Sequence, residues 1–75
     1  MSISTLVRTV IIKHERFGPF KFEIYESEGR YFAEILSRND DGRWMVNEFE
    51  YGFVKAISVD DAQKSCEIYI KNLGK

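Results

Sequence analysis

Polar and apolar positions change period once along the chain. Over roughly residues 4–56 they alternate with a period near two, and from about Val59 to Leu73 they recur as on one face of a helix. The first candidate strand, Thr5 to His14, is rich in the β-branched residues Thr5, Val7, Thr9, Val10, Ile11 and Ile12. Apolar residues fall on both of its faces, which predicts a strand that sits centrally or is covered on both sides. Phe17-Gly18-Pro19 then interrupts it, because proline can begin a strand but cannot donate within one. Phe20 to Glu26 alternates cleanly, with Phe20, Phe22 and Ile24 on one face and Lys21, Glu23 and Tyr25 on the other.

Ser27-Glu28-Gly29 reads as a short hairpin turn, and a third strand follows from about Arg30 to Ser37. Asn39-Asp40-Asp41-Gly42 is the strongest turn signal, since Asn and Asp suit the early turn positions and Gly the left-handed one. The fourth strand starts at Arg43. Its apolar phase moves from Trp44 and Val46 to Phe49, Tyr51 and Phe53, which requires a bulge or break near Asn47-Glu48 or at Gly52.

In the helix, Ser58 is a good N-cap and Asp61 stands where a capping acid reaches back. Asp60 and Asp61 complement the positive end of the helix dipole, Lys71 complements the other end, and Gly74 supplies the stop. Val59, Ala62, Cys66, Tyr69, Ile70 and Leu73 form one apolar stripe, whereas Ile68 points to the opposite side among Asp61, Lys64 and Asn72. These elements predict one α+β domain over residues 1–75. It has two layers, an antiparallel four-stranded β-meander with one C-terminal α-helix packed on one face, in the order ββββα or βββα.

Turns with an even number of residues place Tyr31, Ala33 and Ile35 inside with Phe20, Phe22 and Ile24, and bring in Trp44 and Val46 opposite them. Tyr25, Phe32, Leu36 and Met45 then occupy the open face, rimmed by Lys21, Glu23, Glu34 and Arg43. Odd-length turns reverse part of this assignment. Aromatics beside aliphatics within a charged rim suit a protein-binding or dimer patch, and Ile68 adds a second candidate contact.

Composition narrows the chemistry. The chain has 75 residues, 44% hydrophobic and 15% aromatic, with 11 Lys and Arg against 12 Asp and Glu. So short a chain is near the lower limit for folding without staples. One cysteine, Cys66, precludes an internal disulfide, and the single histidine, His14, leaves a structural zinc without ligands. Oligomerisation remains as the supplement. Cys66 lies on the apolar stripe, where a small buried hydrophobe is expected, and His14 reads as a strand-end residue. The acids sit singly or in turns and caps, and no phosphate-cradling or metalloprotease motif is present. The expectation is a non-enzymatic protein that needs no cofactor.

The net charge of −1 lacks the footprint of a dedicated nucleic-acid binder, although Arg8, Lys13, Arg16 and Lys21 give residues 1–21 a local +3. They define the alternative, weak nucleic-acid binding along the first strand. Met1-Ser2-Ile3-Ser4 opens no signal-peptide pattern, and the longest apolar run, Val10-Ile11-Ile12, is far short of a membrane span. A reducing, cytoplasmic setting is expected, with no membrane association.

The stretch Ile57-Ser58-Val59-Asp60-Asp61-Ala62-Gln63, with Tyr31-Phe32-Ala33-Glu34-Ile35 before it, resembles the strand, Ser-x-[Asp/Glu]-[Asp/Glu]-Ala, helix junction of many small bacterial and phage domains, and the arrangement is also similar to that of HicB-type antitoxin domains. More distantly it is similar to double-stranded-RNA-binding folds. The Pro-Gly stretch of the former and the basic helix N-terminus of the latter are missing, so no site residue carries over. The leading expectation is an interaction module, either an accessory subunit or an inhibitor (a phage-encoded inhibitor of a host complex being one form). It is expected to act on a protein partner or as a homodimer.

Overall fold

A computed structural model describes residues 3–74; Met1, Ser2 and Lys75, which the single-domain expectation includes, lie outside them. The chain forms strands β1 (Thr5–His14), β2 (Gly18–Ser27), β3 (Arg30–Arg38) and β4 (Trp44–Gly52), then helix α1 (Val59–Asn72). The strands make one antiparallel sheet in sequence order, β1-β2-β3-β4. The expected ββββα arrangement is thus the observed one. Among the described residues no helix is long and apolar enough to cross a membrane.

Each turn has a local cause. Glu28 and Gly29 form a two-residue hairpin with φ of 52° and 78°, the left-handed pair that matches the twist of the flanking strands. Between β3 and β4 the loop has five residues, 39–43. The Asn39 Oδ1 accepts from the backbone N–H groups of Asp41 and Arg43, each at 3.0 Å, and Gly42 takes φ 80°. Pro19 lies one step beyond the last β2–β3 pair, Phe20↔Ser37, so its missing N–H costs that ladder nothing. Strand β2 therefore begins at Gly18, two residues before the expected start.

The phase change in β4 comes from two bulges. The pairs Leu36↔Val46 and Ile35↔Glu48 leave Asn47 as an extra residue, at the expected place, and its side chain donates to the Ser37 Oγ at 2.8 Å. A second shift separates Ile35↔Glu48 from Ala33↔Tyr51, and there Glu50 adopts φ 51°. Gly52 remains in register with Phe32.

Helix α1 starts as expected. The Ser58 Oγ accepts from the Asp61 N–H at 3.1 Å, while the Asp61 carboxylate accepts from the Ile57 N–H at 3.2 Å. The helix lies over β1, β2 and β3. Ala62, Cys66 and Ile70 are buried against Phe20, Phe22, Ile24, Ala33, Ile35, Phe53 and Ala56, with Val10, Ile12, Tyr31, Tyr69 and Leu73 packed around them.

Three placements correct the sequence reading. Among the described residues strand β1 is an edge strand paired with β2 alone, and Ile11 is 60% exposed; its two-sided apolar pattern reflects Val10 and Ile12 facing the helix and Ile11 facing away. Trp44 and Val46 pair with Arg38 and Leu36 and share the face opposite the helix. Met45 pairs with Ser37 on the helix side, so it is not on the open face. The cause of the last two is the odd, five-residue loop, which reverses the parity of β4 relative to β3.

Candidate functional site

With α1 on one side, the other side of the sheet carries four short rows of side chains across the strands. The first row, next to the β3–β4 loop, holds Lys13, Arg38 and Trp44; the second holds Ile11, Lys21, Leu36 and Val46. Thr9, Glu23 and Glu34 form the third, and Leu6, Tyr25 and Phe32 the fourth. This follows from strict alternation in β2 and β3, interrupted at the Val7 bulge in β1.

Tyr25 and Phe32 are stacked, with ring centroids 5.7 Å apart and planes at 17°. Phe49, 73% exposed, lines the same shallow hollow of about 200 Å³ with Tyr25, Phe32 and Glu34. At the other end, the Lys21 ammonium lies 4.9 Å from the Trp44 ring centroid and the Arg38 guanidinium 5.2 Å from it. Leu36 belongs to this face but is only 7% exposed, because its neighbours already cover it. Partial burial, with the negative charges of Glu23 and Glu34, raises the Tyr25 phenol above its ordinary pKa.

The expected patch is therefore assembled in part. Tyr25, Phe32 and Leu36 come together, and Met45 does not. Ile68 also lies elsewhere. It is 58% exposed on the flank of α1, where it lines a cleft of about 390 Å³ with Tyr51, Phe53, Val54, Tyr69 and Leu73. Sequence reasoning left out Leu6, Ile11, Trp44, Val46 and Phe49. The alternation of β1 and the loop length carry the signal for the first four. Phe49 is placed by the second bulge, for which the sequence has no glycine marker.

The four cations of the nucleic-acid alternative do not converge. Arg8 is on the helix side, where it contacts the Asp60 carboxylate and the Gln63 side-chain oxygen, each at 2.8 Å. Arg16 lies in the β1–β2 turn over Phe17, leaving Lys13 and Lys21 on the open face. His14 organises that turn, its Nδ1 accepting from the N–H groups of Arg16 and Phe17. The Cys66 thiol is fully buried, and burial pushes its pKa up to about 12, so it stays protonated at neutral pH. Among the described residues no group of three His, Cys, Asp or Glu side chains is placed to hold a metal ion.

Comparisons with known protein families, with curated proteins and with solved structures found no match.

Proposed function

We propose that this chain is a non-enzymatic interaction module that docks through the open face of its sheet onto another protein surface. The observation that carries this reading is the stacked Tyr25–Phe32 pair beside the exposed Phe49, on the sheet face that α1 leaves uncovered. Half-buried aromatics held on a strand lose little side-chain freedom on docking, and a rim of Lys21, Glu23 and Glu34 supplies orientation. The half-buried polar and apolar mix suits a surface that spends time free in solution. An accessory subunit or an inhibitor working in a reducing, cytoplasmic compartment fits this design, in which the lone cysteine is a core residue.

The test is partner retention on immobilised protein. Phe32→Lys and Phe49→Lys should each reduce retention of the bound partner at least about tenfold, while Lys64→Glu on the helix surface should not. Undiminished retention by both face variants would remove the reading.

A further inference from the structure

We propose that the occupant of the open face is a second copy of this chain, docked face to face about a twofold axis that lies between the two sheets and runs across the strands. This rests on the interaction reading above and names its partner.

The argument comes from how charge is distributed over the four rows. The first two rows carry Lys13, Arg38 and Lys21, the third carries Glu23 and Glu34, and the fourth is apolar. Glu23 and Glu34 are directly opposed across the β2–β3 ladder. Like charges in that position destabilise a sheet. Among the described residues neither carboxylate forms a salt bridge, the pairing of Arg8 with Asp60 being the one present. The fold thus holds two adjacent, partly covered carboxylates without a salt-bridge partner among the described residues, with Lys21 one row away and Lys13 and Arg38 two rows away.

A second copy relieves this when the twofold axis runs across the strands and not when it runs along them. An axis along the strands sets each row on itself, acid on acid and cation on cation. An axis across the strands, midway between the second and third rows, sets Lys21 of each copy over the Glu23–Glu34 pair of the other. It also sets Arg38 of each copy over Phe32 of the other, where a guanidinium meets an aromatic ring. Such an interface is isologous, so every contact is made twice. Charge complementarity between Lys21 and the Glu23–Glu34 pair therefore favours the axis across the strands over the one along them.

The available area sets the strength. Four strands about 4.8 Å apart and about 26 Å long present roughly 500 Å² per copy, near the lower limit of ~1,000 Å² in total for a specific interface. An interface of this size fits a weak, reversible dimer.

The experiment is sedimentation velocity on the full chain up to about 1 mM, with circular dichroism as the check on folding. Lys21→Glu makes the second and third rows uniformly acidic there, and the double variant Glu23→Lys/Glu34→Lys makes them basic. Each alone should weaken the dimer at least about tenfold, and an equimolar mixture of the two should restore dimerisation to within about threefold of wild type. Added salt should weaken the wild-type dimer. A wild type that is monomeric throughout overturns the twofold dimer while leaving the interaction reading to the retention measurement. A dimer indifferent to Lys21→Glu, or a mixture that stays monomeric, also overturns it. A dimer that survives Phe32→Lys as well is built on another surface and counts against both proposals.

Discussion

Tyr51 on β4 and Tyr69 on α1 meet edge to face, with ring centroids 5.2 Å apart and planes at 79°. Because α1 lies over β1, β2 and β3, this contact ties the β4 edge to the helix. It is the centre of a chain of rings: Tyr69 meets Phe22 at 5.8 Å and Tyr51 meets Phe53 at 5.7 Å, both edge to face. The chain compensates for an off-centre helix and forms one wall of the cleft beside Ile68.

That relationship is measurable by a double-mutant cycle. Tyr51→Ala, Tyr69→Ala and the double variant, compared by urea unfolding, should give a coupling energy of about 0.5–1.5 kcal/mol. Additive effects would mean that the rings touch without mutual stabilisation.

Alkaline pH should destabilise the domain. The thiol of Cys66 has an ordinary pKa of 9.0 and is held up to about 12 in the fold, chiefly by burial. Between these values the unfolded chain loses a proton that the folded chain keeps, so its contribution to stability is complete below pH 9 and is lost as pH rises to about 12. The limiting slope for one such group is about 1.4 kcal/mol per pH unit. Cys66→Ala should flatten the stability curve from pH 9 upward. A remaining decline should begin near pH 10, where Tyr25 and Tyr69 have their ordinary values and are raised by burial. Urea midpoints at intervals across this range provide the check.

The β2–β3 hairpin carries avoidable strain. Glu28 occupies the left-handed region at φ 52°, which costs an ordinary residue about 1–2 kcal/mol and which asparagine tolerates. Glu28→Asn should raise stability by about 0.5–1 kcal/mol, seen as a higher urea midpoint at an unchanged slope. Gly29→Ala, at φ 78°, should lower it by about 1–2 kcal/mol.

Phe22 and Phe32 separate the two faces of the sheet. Phe22 is wholly buried beneath α1, so Phe22→Ala should cost about 3–5 kcal/mol. Phe32→Ala removes a half-buried ring from the open face and should cost less than about 1.5 kcal/mol in dilute solution. Equal losses in thermal or chemical unfolding would show that the open face is a second core.

The elements were legible in the sequence wherever their causes are local. Ser58 and Asp61 fix the start of α1 by hydrogen bonds within one turn, and the stripe of Ala62, Cys66 and Ile70 fixes its buried side. Glu28-Gly29 and Asn39 through Gly42 fix two turns through backbone preferences of single residues. The bulge at Asn47 was readable as a slipped alternation. Tertiary structure decided what depends on counting across a loop or on a partner strand. The five-residue loop turned Trp44 and Val46 onto the open face and Met45 away from it, and the second bulge returned Tyr51 to the helix side while Phe49 remained exposed. Among the described residues β1 is an edge of the sheet, a position its β-branched composition does not encode. Alternation specifies which residues share a face, and only the assembled sheet specifies which face the helix covers.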